Sequence, residues 1–489
     1  MIFRSKTILS ELNFETSFQK VNKQAIFKKI KANTTHHHQM NSNPPSHHVL
    51  SSPQLLHSIF AFFSIQEVTY YTRVSKKWQE AAKKYFQFLK SFTVNTAEDI
   101  EIYLSIVNSL AIQEFSFISS NYIDISEVLS LLKLTKPTVQ TLSFLYDNDN
   151  PEDLSLVLKS LPQAFPSVKT FKYMRRELNE IDVLSFKGFQ HLKELYILGD
   201  CYFEGKYLSL LNPLETLVIH SHFVKYSFLE ELLKASQPIL KNITLDLEDY
   251  EEEEITKLIL ILQECGLSSL DLKYCNYFTN DHMMMLESQL GLKKLSLRKV
   301  ADLSSGTCLA FFQHKFQLLE KIKIPMNDFI NSACLVGIAR QCENLRVLDL
   351  TWCEGIKDSA GIYEVFLNCK QLEKIWIVGV KKASEEAFPV IKEYYQQNKS
   401  TKIAFLTEPE REKVRKELIN IREKCFGNHP NFSFYKKLKF LDATKCDFIP
   451  DDVFLMLLLI NPTVDARNYY EETVSFPKYI PEINYDHKF

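Results

Sequence analysis

The chain is 489 residues long and carries 58 Lys and Arg against 60 Asp and Glu, a net charge of −2. That balance excludes a general polyanion or nucleic-acid binder, which shows a basic domain. A 45% apolar content with 36 Phe and 22 Tyr excludes a chain disordered throughout.

The longest fully apolar run, residues 453–460, is far short of the ~18 residues that span a bilayer, so no membrane segment is expected. No apolar stretch follows Met1, so no secretory signal is expected. The ten Cys are then expected as reduced thiols, in cytoplasm or nucleus. There is no G-x-G-x-x-G, G-x-x-x-x-G-K-[ST] or G-x-S-x-G, and no C-x-x-C or H-E-x-x-H. No catalytic centre, metal site or cofactor is therefore expected, and the chain does not read as an enzyme.

Residues 1–48 are polar and irregular, with His36, His37 and His38 ahead of Pro44 and Pro45. Adjacent imidazoles hold a metal only where the chain shapes a site, so a mobile tail is the expected state, with a short amphipathic helix over 18–30. Residues 49–88 change to helical periodicity. Ser51 and Ser52 cap a start, Pro53 suits a first turn, and Leu55, Leu56, Ile59, Phe60 and Phe63 follow at helical spacing. A second helix carries Val68, Tyr71 and Val74, and a third Trp78, Ala81, Ala82 and Tyr85. Three helices this short cannot bury all these aromatics, so some apolar surface must meet the following domain or a partner.

From residue 89 one phrase dominates, apolar-x-x-apolar-x-apolar. It runs from Leu89/Phe92/Val94 through copies such as Leu192/Leu195/Ile197, Leu267/Leu270/Leu272 and Leu345/Leu348/Leu350 to Leu372/Ile375/Ile377, in twelve copies about 26 residues apart. A degenerate copy is expected at Ile403/Phe405 and a clearer one at Leu438/Leu441/Ala443. The last two apolar positions of each copy alternate as in a strand, and the intervening segments are helix-like. Each strand–helix unit has an apolar face it cannot bury alone, so the units stack into a parallel sheet backed by helices. The expected fold is an α/β solenoid, a horseshoe with the sheet inside and helices outside, over residues 89–462, followed by an aromatic tail over 463–489. Cys275, Cys353 and Cys446 recur eight residues after the first apolar position, and Cys342 and Cys369 three before it. Thiols spread one repeat apart read as small buried hydrophobes at a turn; a metal or redox site needs them clustered.

Two resemblances meet on these residues. Cys342-x-x-Leu345-x-x-Leu348-x-Leu350-x-x-Cys353 resembles the cysteine-containing subclass of leucine-rich repeats. The stretch Leu55-Leu56, Ile59-Phe60, Val74, Lys76 and Trp78 is similar to the F-box, departing from it at Ser51-Ser52, Gln54, Phe63, Val68 and Ser75. An F-box ahead of a leucine-rich solenoid is a known domain order. The resemblance implies a non-catalytic substrate-recognition subunit of an SCF (cullin–RING) ubiquitin ligase. In it the F-box docks on a Skp-family adaptor, and through it on cullin and RING subunits, while the concave face of the solenoid binds a protein substrate. Such a subunit works by proximity and orientation, which for a well-placed pair is worth about 7–11 kcal/mol of barrier.

On this reading the adaptor contact falls to Pro53, Leu55, Leu56, Ile59, Phe60, Phe63, Val74 and Trp78; the alternative is a helical cap on the open end of the solenoid. Residues between the apolar anchors alternate to the other side of the sheet. In the later repeats they include Lys294, Arg298, Lys321, Lys323, Lys374 and Trp376, expected to bind an acidic or phosphorylated substrate segment, with ordinary solvated strand surface as the alternative. The acidic run 246–254 reads as a solvated loop at a helix N-terminus, and Met283, Met284 and Met285 as core. The tail over 463–489 either covers the concave face or caps the last repeat. A competing function is a non-degradative scaffold in a cytoskeletal or ciliary assembly.

Overall fold

The computed structural model describes residues 56, 59–61, 63–72, 75–119, 123–134, 138–146, 150–175, 178–199, 201–289, 291–300, 303–313, 316–397, 406–426 and 437–474. The chain divides into two compact units, Met1–Lys169 and Thr170–Phe489. The helical segment therefore shares a unit with the first repeats.

In the first unit, α1 (Ile65–Tyr71) starts on a capping box. The Ser64 hydroxyl accepts from Glu67 N, and the Glu67 carboxylate accepts from Ser64 N. Helix α2 (Lys76–Phe88) starts at Ser75, whose hydroxyl accepts from Trp78 N. The expected helix before α1 is described only at Leu56, Ile59 and Phe60, which are helical; Pro53, Leu55 and Val74 lie outside the described residues. Leu56, Phe60, Val68, Ala81, Ala82 and Phe86 are buried together with the repeat residues of this unit. Strands β1 (Ser91–Val94), β2 (Glu114–Ser119) and β3 (Thr141–Tyr146) pair parallel in chain order, with α3 (Ala97–Ile106), α4 (Ile125–Lys133) and α5 (Pro151–Ala164) between and after them. Phe92 stacks on Phe115 and Phe117 on Phe144, so the anchors of successive repeats touch along the stack.

The second unit repeats the pattern. Its strands are β4 (Thr170–Tyr173), β5 (Glu194–Ile197), β6 (Thr216–Ile219), β7 (Asn242–Asp246), β8 (Ser269–Lys273), β9 (Lys294–Arg298), β10 (Lys321–Lys323), β11 (Val347–Asp349), β12 (Lys374–Trp376), β13 (Phe440–Asp442) and β14 (Asp465–Arg467). They are parallel neighbours in chain order. The helices of this layer are α6 (Glu180–Ser185), α7 (Tyr226–Ser236), α8 (Glu252–Gln263), α9 (Asn280–Met285), α10 (Ser305–Phe311), α11 (Ser332–Gln341), α12 (Ala360–Asn368), α13 (Pro389–Gln397), α14 (Glu408–Phe426) and α15 (Asp451–Ile460). The anchors are buried and most residues between them are not: in β9 Leu295 and Leu297 are buried while Lys294 and Arg298 are exposed and Ser296 is half-buried; Thr216 and Asp442 are the buried exceptions. This is the α/β leucine-rich-repeat solenoid that the periodicity implies.

Each later strand ends the same way. Tyr274, Lys299, Met326, Trp352, Gly379 and Lys445, all seven residues after the first anchor, hold positive φ. Their N–H groups reach the next coil: Tyr274 N donates to Arg298 O, Met326 N to Thr351 O and Trp352 N to Val378 O at 2.7–2.8 Å. Continued pairing offsets the cost of the left-handed backbone. Only at Gly379 does packing also demand glycine, because a Cβ there would stand 2.4 Å from the Trp352 ring. One position later the small buried residue appears. Cys353 Sγ donates to Ile324 O at 3.0 Å and Cys446 Sγ to Ile377 O at 2.9 Å. Asn327 takes that place after β10, donating to Leu297 O and accepting from Val300 N at 2.8 Å. Cys275, Cys342, Cys353 and Cys369 are all buried free thiols.

Two expectations concern the C-terminal end. β13 pairs directly with β12, Glu373 and Lys439 being neighbours across 66 residues; the degenerate copy was expected within that interval, at Ile403/Phe405. Those two residues lie outside the described ones. The insertion places α13 and α14 in the helix layer, α14 burying Val414, Leu418 and Ile421 as one stripe between α13 and α15. The sheet also extends past residue 462. β14 pairs with β13, and the chain then turns at Asn468 so that Thr473 bridges Arg467 antiparallel and Val474 N donates to Ala466 O at 2.8 Å. Residues expected in a tail thus close the sheet edge; those after 474 lie outside the described residues.

Candidate docking surfaces

In the helical segment the side chains assigned to adaptor contact divide into two groups. Leu56 and Phe60 are wholly buried, with Phe60 edge-on to Trp78 at 5.7 Å and to Tyr85 at 5.9 Å. Their side chains lie in the core of this unit. Ile59, Phe63 and Trp78 are half-buried, and Tyr70 beside Tyr71 is 68% exposed. These four present an apolar and aromatic surface.

The open strand face of the second unit carries the charges. Register places Lys294 beside Lys321, then Val347, then Lys374; one step further along lie Asp271, Ser296, Lys323, Asp349 and Trp376. At the strand ends Asp246, Lys273 and Arg298 are direct neighbours. Six cations and three carboxylates therefore share the face of β7 to β12 in a chain that is slightly acidic overall. Among the described residues Lys294, Arg298, Lys321, Lys323 and Lys374 are in no ion pair, whereas Lys193, Arg346 and Lys439 at the strand starts pair with Glu215 or Glu373. Lys321 shows the consequence: burial first, then Lys294, Lys323 and Lys374, lower its pKa.

Next to this ladder is a more enclosed cluster. The Lys273 ammonium donates to Nε2 of His220 at 3.0 Å. Burial, followed by Lys273 and Arg298, pushes the His220 pKa down to about 3, so the ring is neutral and free to accept. Burial pushes Asp246 up to about 6 against the opposing pull of the Glu248 N–H, His222 and Lys273. Burial also lowers Lys273, partly countered by Asp271 and Asp246. At the other end Trp376 packs on Phe440 with ring centroids 5.0 Å apart, and Arg467 lies 5.3 Å over Phe440 and 3.9 Å from Asp442.

The sequence reading missed Lys273, Phe440 and Arg467. Lys273 holds the same place in its repeat as Arg298, and Phe440 the same place as Lys294, so one offset applied to every copy finds both. Arg467 had no such signal, because β14 does not carry the phrase. The acidic run proves to be local structure: Glu251 N donates to the Glu254 carboxylate in the capping box of α8. Met283 is buried, while Met284 and Met285 are half-buried.

No family model matches the chain. A protein of Candida glabrata named antagonist of mitotic exit network protein 1 is 50% identical over 54 residues, 11% of this chain; the match covers 10% of that protein's length. Among solved structures, a chain of the Rad7–Elc1 complex from yeast aligns with TM-score 0.52 and 16% identity over 85% of this chain and 96% of its own. The leucine-rich repeat-containing protein LegL7 of Legionella pneumophila aligns over 77% of this chain and 98% of its own at 11% identity, with TM-score 0.30. The chain shares the fold of the Rad7–Elc1 chain and is a leucine-rich-repeat solenoid.

Proposed function

We propose that the chain is the substrate-recognition subunit of an SCF (cullin–RING) ubiquitin ligase acting in cytoplasm or nucleus. In this reading the helical segment docks on a Skp-family adaptor, the open face of β7 to β12 holds an acidic protein substrate, and catalysis belongs to other subunits. The observation that carries it is the set of apolar side chains left partly open on an F-box-like segment, Ile59, Phe63 and Trp78, with Tyr70 68% exposed. The fold neighbour in yeast, seen in complex with Elc1, gives a precedent for such a solenoid with a protein partner. Because Leu56 is core, the test uses Ile59→Ala with Phe63→Ala. Pull-down of the intact chain should recover adaptor and cullin, and the double variant should lose them, since hot-spot removal costs about 2 kcal/mol or more. Undiminished recovery by a folded double variant overturns the F-box reading. The burial of Leu56 and Phe60 favours a second reading, a helical cap on a non-degradative scaffold in a cytoskeletal or ciliary assembly. That reading expects no adaptor at all.

A further inference from the structure

Cys275, Cys342, Cys353, Cys369 and Cys446 recur in register at the turns; Cys308 and Cys334 stand outside that register, on helices. Cys308 lies on α10 and Cys334 at the third position of α11, and both are wholly buried. The backbone of α11 comes so near α10 that a Cβ at Gly337, one turn beyond Cys334, would touch Leu309 Cδ1 at 3.4 Å and Phe312 Cβ at 3.5 Å. Cys334 Sγ donates to Ser305 O at 3.4 Å, on the turn of α10 that leads to Cys308. The Cys308 thiol donates in turn to the Cys334 sulfur, so the two sulfurs face each other between neighbouring helices.

The surroundings give the two sulfurs different chemistry. The hydrogen bond from Cys308, helped by the N–H groups of Asn331 and Cys334 at the helix start, outweighs burial and holds the Cys334 thiol below its ordinary pKa. The same hydrogen bond, then burial, pushes Cys308 up. Cys334 is therefore the sulfur that ionises, and Cys308 stays protonated beside it. That is the division between a nucleophilic and a resolving thiol. Cys353 is close enough to raise Cys308 further, but its own hydrogen goes to Ile324 O at 3.0 Å. Gly306 and Ala333, next to the pair in the chain, are exposed, and α10 is only seven residues long. Local opening of so short a helix admits a small neutral oxidant.

We propose that Cys308 and Cys334 are a peroxide-reactive dithiol whose disulfide staples α10 to α11. The Cys334 thiolate attacks one oxygen of hydrogen peroxide. The O–O bond breaks, an S–O bond forms, and the departing hydroxide leaves as water with the proton that Cys334 gave up. The Cys308 sulfur then attacks the sulfenic sulfur. The S–O bond breaks, the S–S bond forms, and hydroxide leaves with the Cys308 proton as a second water. Two thiols are oxidised and one peroxide is reduced. The ring so closed runs from residue 308 to 334 and contains β10. In a reducing compartment thiol exchange reopens it. None of this depends on the ligase reading.

The test treats the full reduced chain with hydrogen peroxide, alkylates it in denaturant and maps its peptides by mass spectrometry. A pair of peptides joined through Cys308 and Cys334, and separated again by dithiothreitol, is expected, with Cys353 recovered as a free thiol. Cys308→Ala should form no such bond and carry a sulfenic acid at Cys334, trapped by dimedone. Cys334→Ala should leave Cys308 unoxidised. Circular dichroism checks that both variants fold, and Cys308→Ser, which keeps a donor at that place, replaces the Ala variant where it does not. Hydrogen exchange over α10 should slow by about tenfold or more on oxidation and recover on reduction. A native chain that keeps both thiols, or a bond from either one to Cys353, overturns the dithiol. A dimedone adduct on Cys308 in Cys334→Ala overturns the assignment of roles, and unchanged exchange over α10 overturns the staple.

Discussion

Asp246 and His220 share the burial of one cluster and respond to acid in opposite senses. The His220 pKa is about 3 in the folded chain and about 6.5 unfolded, so below pH 6.5 the unfolded state takes the proton first and stability falls with falling pH. The Asp246 pKa is about 6 folded and about 3.9 unfolded, so below pH 6 the folded state takes the proton first and stability rises. Between about pH 6 and 4 the two slopes oppose, each worth at most about 1.4 kcal/mol per pH unit. Chemical denaturation of Asp246→Asn across this window should therefore show a steeper loss of stability with acid than the parent, and His220→Gln a shallower loss or a gain. Parallel pH profiles for both variants and the parent would remove the linkage. The anchors, the recurring thiols and the cations of the ladder were legible one repeat at a time, because strand alternation fixes which way each residue points. The His220–Lys273 contact was not, since it joins residues 53 apart in sequence through the register of three strands. At Leu56 and Phe60 helical spacing marks an apolar face without saying whether the chain's own core or another protein covers it.

An exposed strand edge offers unpaired N–H and C=O groups to any passing strand. At β14 the turn closed by Asn468, which accepts from Tyr470 N and Glu472 N at 3.1 Å, brings Thr473 and Val474 back along that edge. Ending the chain after Asn468 should leave the repeats folded by circular dichroism but expose the edge, and light scattering should then show dimers or larger species growing with concentration. A monomer indistinguishable from the parent would mean the returning segment protects nothing. The sequence phrase located the strands from β1 to β13 because each needs two or three spaced anchors. It missed β14, where Ala466 and the preceding Val464 are the small remnants of that pattern and polar Asn468 takes the outer place.

Across the whole chain acidic and basic residues nearly cancel, so the excess of cations on the β7 to β12 face is a local field and not a consequence of net charge. Exposed charges are screened over about 10 Å at 0.1 M salt. Raising NaCl from 50 to 500 mM should slow association of an acidic peptide by about tenfold or more in stopped-flow fluorescence, with little change in dissociation rate and in thermal unfolding. Salt-insensitive association would place binding elsewhere. The pairing of β12 with β13 across the long insertion has a further consequence for this face. Its divisions are set by hydrogen bonds between strands, like the marks on a ruler, and not by how much chain runs between one mark and the next. The outer layer has already taken in α13 and α14 without moving a mark. A reporter domain spliced into the crossover between those two helices should therefore leave binding of the acidic peptide untouched, and the solenoid becomes a measuring surface on which length can be added behind the scale without altering what is read in front of it.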